Sequence, residues 1–358
     1  MAGGTTVHTY QMAKHFAALG HAPYVITAGH ASAPAEEHGG IEVRRVRRPY
    51  TLLAALKAGR LRRELDVVHG HGTCAYGFMR LYDFPTVVKM HGTWLGEFER
   101  YRRMGQRTGL MRLYVRMDRY CARRADAVVA ISRDVRQETL RYGVEEDRIR
   151  VIHNGIDALP FAEARPAELE FGRNGREDAM VIGYVGRLAP HKGVGALTRA
   201  FIELASRHED VRLMVVGDGP EKARMMSMLG PLKDRAAFAG YVPHDEVPGY
   251  YAAADIMVYP TTYEPLGNVV LESMAAGRPL IASRTGGIPE IFSKDCGILV
   301  RPPEGDEPGE LTGALERLVS SGSLRRRMGA RGKEHVKRYT WTRVCKRTIE
   351  VMEGVLGR

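Results

Sequence analysis

Short apolar runs rich in β-branched residues alternate along this chain with longer stretches of helical periodicity, and they fall into two series. The first series lies at residues 23–28, 41–46, 66–71, 86–91, 126–132 and 149–153, and the second at 180–185, 211–216, 236–239, 255–259, 279–282 and 297–300. Helical patterns separate several of the runs, as at residues 5–19, 111–124, 194–207 and 269–276. Alternation of strand and helix favours parallel sheets covered on both faces, so we predict an α/β protein with two doubly wound domains.

A segment rich in Pro, Gly, Glu and Arg, without strong periodicity, separates the two series at residues 159–178. We interpret it as an interdomain linker, since 358 residues suit two domains of ~150 residues each. The sequence thus predicts an amino-terminal domain at 1–160, a linker at 161–178, a carboxy-terminal domain at 179–340 and a last helix at 341–358. Ligands of such sheets bind outside the carboxyl ends of the strands.

Composition and charge exclude several classes of protein. Hydrophobic residues make up 44% and charged residues 27%, which is typical of a globular protein rather than a disordered one. No apolar run approaches the ~18 residues of a membrane span, and we expect no signal peptide. The four cysteines show neither zinc-ligand nor redox spacing, so we expect a cytoplasmic location. Residues 1–164 carry +8 of the net charge of +11, which suits phosphate-bearing ligands, an anionic membrane surface or nucleic acid.

The most informative motif has the sequence VYPTTYEPLGNVVLESMAAGRPLIASRTGGIPE. Glu264 lies in a loop after a predicted strand, and a helix is predicted to begin near Gly267. The backbone amides of Gly267, Asn268 and Val269 would form an anion site, helped by the helix dipole. Glu272 lies about two turns into the same helix, on the face of Asn268. The first carboxylate can accept sugar hydroxyls and the second both hydroxyls of a ribose; the alternative is two solvated glutamates around an ordinary helix start.

Cations follow a predicted strand in the sequence GYVGRLAPHKG, where the strand ends at Gly186 and Arg187 and Lys192 follow in a loop. Cations at the carboxyl end of a strand suit a pyrophosphate group. The chain contains no Asp-x-Asp sequence that would hold a divalent ion, so we predict no metal and expect these cations to stabilise diphosphate charge. The alternative is two exposed loop cations without a ligand.

Histidines and glycines supply weaker candidates. His91 follows an apolar strand in PTVVKMHGTW and could hydrogen-bond a sugar hydroxyl or a carbonyl, although histidines at strand ends are often structural. His69 and His71, in VVHGHG, are weaker candidates, and metal binding by the three histidines is an interpretation that we do not favour. Gly3 and Gly4 precede an amphipathic helix, where glycine-rich loops cradle phosphates or sugars, but the pair could equally be an unimportant terminus.

Together these segments resemble the GT4-type glycosyltransferases, a group of retaining enzymes also described as glycosyl transferases group 1. The resemblance runs from about Gly3 to the carboxyl end, and its most specific part is the E-x7-E signature from Glu264 to Glu272. The sequences NGID, GRLAPHKG, VVGDGP and GGIPE also occur in the family's order. The resemblance implies a GT-B fold, in which two Rossmann-like domains face a central cleft and the last helix crosses back onto the amino-terminal domain.

The resemblance also implies roles for individual residues. Arg187 and Lys192 would hold the donor diphosphate, Glu272 the ribose and Glu264 the transferred sugar, while His91 would contact the sugar near the reaction centre. The implied donor-binding residues are Gly3, Gly4, Gly186, Gly267, Asn268, Val269 and Glu272. The amino-terminal domain would bind the acceptor and the carboxy-terminal domain the nucleotide sugar, without a cofactor. The expected reaction is retaining transfer of a hexose-type sugar to an acceptor hydroxyl, which the sequence does not identify and which could belong to a glycan or a lipid-linked molecule.

The sequence departs from the family's pattern at its start. Family members place a β-strand before the Gly-Gly turn, whereas only Met1 and Ala2 precede it here. We therefore predict that the first strand of the amino-terminal sheet is missing. In the order 3-2-1-4-5 this strand is central, so we expect a gap, or strands moved together, beside residues 66–71 and 23–28.

A basic stretch at residues 100–124 contains nine arginines and one acid, Asp118, interleaved with apolar residues. We interpret it as an amphipathic helix that could lie on anionic lipid at the inner face of the membrane, although a solvated helix face is the alternative. A non-catalytic basic protein that binds nucleic acid or phosphate is the competing function. A nicotinamide dehydrogenase would need a G-x-G-x-x-G after a strand, which is missing. Since no recognised nucleic-acid motif is present, we predict no nucleic-acid partner.

Overall fold

The computed structural model describes residues 4–28, 36–38, 41–46, 63–103, 105, 108–171 and 179–357. The strands are β1 (Tyr24–Ala28), β2 (Glu36–His38), β3 (Ile41–Val46), β4 (Val68–His71), β5 (Thr86–Met90), β6 (Ala127–Ala130), β7 (Ile149–Val151), β8 (Met180–Val185), β9 (Val211–Val216), β10 (Ala236–Gly240), β11 (Ile256–Tyr259), β12 (Leu280–Ser283) and β13 (Gly297–Val300). The α-helices are α1 (Gly4–Ala18), α2 (Tyr76–Leu81), α3 (Trp94–Arg103), α4 (Met111–Arg124), α5 (Arg133–Leu140), α6 (Leu159–Glu163), α7 (Val194–Ala205), α8 (Lys222–Leu229), α9 (Val247–Ala253), α10 (Asn268–Ala275), α11 (Ile288–Ile291), α12 (Leu311–Val319), α13 (Gly322–Val336) and α14 (Trp341–Leu356).

Every apolar run that the sequence pattern assigned to a strand contains one, which confirms the α/β class. The chain divides into two compact units, one formed by Met1–Gly155 with Trp341–Arg358 and the other by Ile156–Thr340. The boundary therefore falls five residues before the end of the predicted amino-terminal domain.

The first unit contains two sheets, with strand orders β1-β3-β2 and β4-β5-β6-β7. Strands β1 and β3 are parallel, whereas β2 runs antiparallel to β3, so the predicted parallel sheet carries one antiparallel strand at this edge. The acidic sequence of β2 has no apolar run, which is why the pattern did not reveal it. Within the described residues β1 and β4 are not paired, and they are the two strands beside which the sequence predicted a gap.

The core of the first unit joins the two ends of the chain. Helix α14 buries Trp341, Val344 and Cys345 in one apolar cluster with Met12 of α1 and Val87 of β5. The Cys345 thiol lies 3.7 Å from the carbonyl oxygen of Met12. The last helix thus packs within the first unit, as the resemblance implied, because its apolar face completes the cover over β5 and β6.

The second unit is built on one parallel sheet with the order β10-β9-β8-β11-β12-β13. Its strands are apolar on both faces, and Ile182, Leu213 and Val258 are wholly buried in the same core cluster. Numbered within the unit, the order is 3-2-1-4-5-6, which reverses direction between β8 and β11. In doubly wound sheets a ligand crevice forms at such a reversal, outside the carboxyl ends of the strands.

The first part of the predicted linker belongs to the second unit. Phe161 of α6 is 7% exposed, and its ring contacts Tyr251 with 5.4 Å between ring centroids. The amide of Ala167 donates a hydrogen bond of 2.9 Å to the carbonyl oxygen of Gly249. These contacts attach the chain to α9 from residue 159 onward, and residues 172–178 of the predicted linker lie outside the described residues. In the described parts of the chain, no helix has both the length and the apolar composition needed to cross a bilayer.

Candidate functional site

The loop after β8 carries Gly186, Arg187 and Lys192. The amide of Gly186 donates to the carbonyl oxygen of Val216, and the amide of Leu188 donates to that of Asp218, each over 2.9 Å. The motif VVGDGP thus fixes the course of the GRLAPHKG loop. Arg187 is exposed, and among the described residues its side chain forms no ion pair. Its guanidinium is therefore available for an anionic ligand at the carboxyl end of β8.

Lys192 and Glu264 meet at the point where the order of the sheet reverses. The Lys192 Nζ atom lies 2.7 Å from Glu264 Oε2, and the two side chains are 24% and 17% exposed. Gly193 makes this approach feasible, because a side chain there would place its Cβ 1.8 Å from the carbonyl oxygen of Pro260, and its φ of +66° also favours glycine. The loops after β8 and β11 thereby bring a cation and a carboxylate into direct contact.

The motif GGIPE holds Glu264 from the other side. The amide of Gly287 donates to the carbonyl oxygen of Glu264 over 3.1 Å. A Cβ at Gly286 would lie 1.8 Å from the same oxygen, so only glycine permits this packing. The backbone that carries the Glu264 carboxylate is therefore fixed by a segment that follows β12.

Helix α10 begins directly after Gly267, which has a φ of +92°. Asn268 and Val269 occupy its first turn, where backbone amides lack partners within the helix and the helix dipole is positive. Both residues are half-buried, whereas Gly267 is buried. Asn268, the first residue of this helix, follows Glu264 by only four residues, so one loop carries both the predicted anion site and the carboxylate predicted to bind the sugar.

Glu272 lies in a buried network of hydroxyls on the same helix. The hydroxyl of Tyr251 donates to Glu272 Oε2 over 2.6 Å, and the hydroxyl of Tyr259 donates to that of Tyr251 over 3.2 Å. Ser273 donates to the Tyr259 hydroxyl over 3.1 Å. Burial raises the pKa of Glu272, and the hydrogen bond from Tyr251 opposes that rise. The tyrosines fix one carboxylate oxygen and keep the group in a poorly solvated environment.

Three histidines form a cluster in the first unit. The Nδ1 atom of His71 lies 2.8 Å from Nε2 of His91, and the two rings are stacked with 5.0 Å between centroids. The ring of His8, from α1, meets His91 edge-on with 4.6 Å between centroids. Burial lowers the pKa of each ring, to about 3 for His71, so all three are neutral imidazoles near pH 7.

A buried lysine lies beside this cluster. Lys89 of β5 is 0% exposed, and burial lowers its pKa to about 7. Its ammonium group and the Nε2 atom of His69 have no hydrogen-bond partner within the described part of the chain. Unpaired buried polar groups are uncommon in folded proteins, so this region has the chemistry of a ligand site.

Two acids fix the segment that follows β5. The Thr93 hydroxyl donates to Glu138 over 2.7 Å, and the amide of Trp94 donates to Asp118 Oδ2 over 2.9 Å. The hydroxyl of Tyr142 donates to the same Asp118 oxygen over 3.2 Å. Burial raises the pKa of Asp118 to about 7. This network anchors the start of α3 and with it the loop that carries His91.

The sequence-predicted residues divide between the two units. The second unit holds Gly186, Arg187, Lys192, Glu264, Gly267, Asn268, Val269 and Glu272 at the carboxyl edge of its sheet. The first unit holds His91 and Gly4. Gly4 is the first residue of α1, and Gly3 lies outside the described residues, so the predicted glycine-rich loop is not described beyond that helical residue.

Sequence patterns did not identify the residues that contact and position the predicted site residues. Tyr251 lies in the sequence GYYAAADI, where nothing distinguishes a tyrosine that donates a hydrogen bond to Glu272 from an ordinary core tyrosine. His8 gave only a weak signal. It lies on a helix of mostly small and polar residues, so the sequence did not indicate that its side chain is buried, at 2% exposure. Lys89 gave a stronger one, because a lysine inside the apolar strand VVKM must be buried with its charge.

The basic stretch at residues 100–124 is not one helix, which corrects the prediction. It contains the end of α3 and the whole of α4, with residues 104, 106 and 107 outside the described residues. On α4 the buried face holds Asp118, Cys121 and Ala122, and four arginines at helical spacing are exposed. Leu113 is also exposed at 52%, so apolar and cationic side chains share this surface.

Comparison with known proteins identifies relatives of both units. The family description "Glycosyltransferase Family 4" matches residues 2–158, and "Glycosyl transferases group 1" matches residues 179–321. The chain is 32% identical over 287 residues to the alpha-D-kanosaminyltransferase of Streptomyces kanamyceticus, covering 75% of this chain and 72% of that protein. It is 28% identical over 374 residues to an uncharacterized glycosyltransferase of Methanocaldococcus jannaschii, covering 98% and 94%.

Solved structures show the fold. Sucrose-phosphate synthase of Thermosynechococcus elongatus superposes with a TM-score of 0.81 at 22% identity, covering 99% of this chain and 94% of that one. HepE of Anabaena, solved in complex with UDP-glucose, superposes with a TM-score of 0.75 at 21% identity, covering 99% and 97%. Two α/β units built on mainly parallel sheets, with these neighbours, have the GT-B fold. By the matches over both units, the chain belongs to the GT4-type glycosyltransferases, the family of glycosyl transferases group 1.

Proposed function

We propose that this glycosyltransferase moves a hexose-type sugar from a nucleotide-sugar donor to an acceptor hydroxyl with retention of anomeric configuration. The observation that carries the proposal is the contact between Lys192 and Glu264, with Glu272 on the helix that follows, at the reversal point of the second sheet. HepE, which was solved with UDP-glucose, has the same fold and supports a donor of this class. A non-catalytic basic binding protein is not favoured by membership of this family.

Glu272 binds the ribose of the donor in this proposal. Tyr251 holds its Oε2 atom, and the carboxylate can accept further hydrogen bonds from the two hydroxyls of a ribose. Because the group is poorly solvated, each such bond is stronger than it would be in water. The tyrosine hydroxyls also fix the rotamer of Glu272, so the ribose meets a preorganised acceptor.

Lys192 and Glu264 exchange partners when the donor binds. In the structure they neutralise each other, so neither leaves an unpaired charge in a half-buried place. The donor diphosphate carries more negative charge than one carboxylate and attracts Lys192 and Arg187, which releases Glu264 to accept hydroxyls of the transferred sugar. The amides of Asn268 and Val269 add donors at the start of α10. Protein cations then stabilise the departing diphosphate without a metal ion.

Retention follows in this proposal from attack by the acceptor hydroxyl on the face that the leaving group vacates. His91 contacts the sugar near the reacting carbon, as the resemblance to the family implies. As a neutral imidazole it can both donate and accept a hydrogen bond. The acceptor hydroxyl belongs to a glycan or a lipid-linked molecule.

A screen of nucleotide sugars tests the proposal directly. We expect one nucleotide sugar to raise the melting temperature of the protein more than its sugar or nucleotide alone. With that donor and a panel of acceptors, proton NMR should show a product with the donor's anomeric configuration, and turnover should survive EDTA. Absence of transfer with every donor that binds would refute the enzyme, inversion would refute retention, and loss with EDTA restored by Mg²⁺ or Mn²⁺ would refute metal independence.

The exposed face of α4 is proposed as a cytoplasmic contact with anionic lipid, where a lipid-linked acceptor would be available. Its five exposed arginines are at residues 112, 116, 119, 123 and 124, near the exposed Leu113, and the last of them pairs with Asp83. Co-sedimentation should rise with the fraction of anionic lipid and fall with salt. The double variant Arg112→Glu/Arg116→Glu should bind far less, whereas Arg317→Glu, an exposed arginine in the second unit, should not. Equal binding to neutral vesicles would contradict the proposal.

A further inference from the structure

His8, His71 and His91 come from three different elements and point their ring nitrogens at one place. His8 lies on α1, His71 ends β4, and His91 follows β5. Each contributes one ring nitrogen to a set in which all atoms lie within 4.8 Å of one another. A tetrahedral zinc site needs ligand nitrogens about 2.0–2.1 Å from the ion, hence roughly 3.4 Å from each other. Small ring movements would therefore close this set around an ion.

The hydrogen bonding of the cluster is incomplete. Both ring nitrogens of His8 are buried, and neither has a partner within the described residues. His8 is 2% exposed, so bulk water does not solvate the ring. A buried neutral imidazole loses a hydrogen bond at each unpaired nitrogen, which is costly unless a ligand takes that place. The ring of His8 is an unpartnered polar group aimed at His71 and His91.

The outward nitrogens show how the rings are held. Thr9 Oγ1 lies 3.5 Å from Nε2 of His71, while Nδ1 of the same ring faces Nε2 of His91 at 2.8 Å. Ring nitrogens that bind a metal are commonly oriented by such a contact at the opposite nitrogen. The 2.8 Å hydrogen bond places a proton on one of the two facing nitrogens, so binding of an ion would require that ring to carry its proton on the opposite nitrogen instead.

We propose that His8, His71 and His91 form a binding site for a divalent transition-metal ion with a preference for imidazole, such as Zn²⁺ or Co²⁺. Three histidines suit these ions and not Mg²⁺ or Ca²⁺, which prefer oxygen ligands. Water would complete the coordination. His91 belongs both to this site and to the proposed sugar contact, so a bound ion would compete with the donor sugar for this imidazole. The diphosphate chemistry of the second unit does not involve the ion, so transfer need not depend on metal.

Lys89 would favour an anion rather than a metal ion at this cluster, and anion binding is the alternative outcome of the test. Its buried amine lies close enough to the cluster to lower the pKa of His8, His71 and His91. A cation there would repel a metal ion and attract an anion such as phosphate. The inward-facing nitrogens of His71 and His91 favour the metal, because an anion needs donors and these two atoms hold a single proton, which lies in the hydrogen bond between them.

The test uses the untagged full chain, stripped with EDTA and freed of chelator. Titration calorimetry with Zn²⁺ should show one site, and Co²⁺ should give the intense visible bands of a tetrahedral complex. His8→Gln and His71→Gln should each weaken Zn²⁺ binding by about 100-fold or more, since even outer contacts to metal ligands are worth about 10- to 100-fold. His15→Gln, on the same helix with its Nδ1 2.8 Å from the Gln11 carbonyl oxygen, is the matched control and should bind as the wild type does.

Several outcomes would overturn the site. These are no Zn²⁺ binding by the wild type, a weak octahedral Co²⁺ spectrum, or affinity unchanged in both histidine variants. Stabilisation by inorganic phosphate without binding of Zn²⁺ would assign the cluster to an anion. The Co²⁺ spectrum of the wild type needs no variant, so misfolding of a variant cannot protect the proposal. None of these measurements uses a sugar donor, so the site can fail while the proposed transfer stands, and the reverse.

Discussion

Replacing Tyr251 by phenylalanine removes one hydroxyl from a buried network and leaves the ring in place. The hydroxyl donates to Glu272 over 2.6 Å and accepts from Tyr259 over 3.2 Å, and Tyr251 is 0% exposed. The variant therefore loses a bond to a charged group and leaves the Tyr259 hydroxyl without this acceptor. A hydrogen bond to a charged group is worth about 1.5–3 kcal/mol, which we take as the cost at neutral pH.

The same loss changes the titration of Glu272. Tyr251 opposes the rise that burial imposes on this pKa, so its removal should raise the pKa further. Since the folded state then holds the proton more tightly than the unfolded state, acid pH favours folding relative to neutral pH. The deficit in stability should be largest near pH 7. Toward pH 5 the deficit should shrink to ~0.5–1.5 kcal/mol, the contribution of a hydrogen bond between uncharged groups.

Melting temperature at pH 7 and pH 5 measures this effect. We expect Tyr251→Phe to lower it by roughly 3–12 °C at pH 7, because a loss of about 1.5–3 kcal/mol shifts it by about 2–4 °C per kcal/mol in a unit of this size, and by less at pH 5. Affinity for the free nucleoside diphosphate should fall by about 10-fold in calorimetry, or ~1.4 kcal/mol. Tyr250→Phe is the matched control, because the hydroxyl of this neighbouring tyrosine makes no hydrogen bond to other described residues. A deficit that is equal at both pH values would refute the electrostatic reasoning, and unchanged nucleotide affinity would refute the positioning of Glu272.

Three further substitutions test the two units. Lys192→Ala should lower turnover by about 100-fold or more, the scale of losing one transition-state charge stabiliser, while the exposed Lys233→Ala should have no effect; equal activity of the two would contradict the leaving-group role. Glu272→Ala should weaken nucleotide binding more than it lowers turnover at saturating donor, and wild-type affinity in calorimetry would disprove the ribose role. Asp118→Asn should remove a fall in melting temperature that the wild type shows as pH rises from about 4 to 7, because the buried acid binds a proton in the folded state that the unfolded chain has lost. An unchanged difference between wild type and variant across this range would show that Asp118 does not titrate there.

Local features of the fold could be predicted because they depend on neighbouring residues. The apolar runs became strands since β-branched side chains fit a sheet that is buried on both faces, as in β9, where every residue is buried. The placement of Glu264 before a helix and Glu272 within it also followed from spacing along one segment. The strand β2 could not be found this way, because its sequence is acidic and it is recognised only through pairing with β3.

The contacts that define the candidate site depend on distant residues. Lys192 and Glu264 are 72 residues apart and meet because the sheet order places β8 beside β11. Tyr251 reaches Glu272 through the packing of two helices, across 21 residues. No periodicity along the chain records such a meeting, since the order of strands in a sheet is set by crossover connections and by burial of the whole domain.

The sequence by itself determined which segments form strands and helices, which loops carry cations and carboxylates, and, through ordered motifs, the family. Only the tertiary structure decided that Lys192 and Glu264 pair, that Tyr251 holds Glu272, and that His8, His71 and His91 gather beside a buried Lys89. The physical reason is that backbone propensity and hydrophobic pattern act over a few residues. Partners for buried polar groups, by contrast, are chosen by the packing of elements far apart in the chain, where leaving such a group unpaired costs about 1–3 kcal/mol.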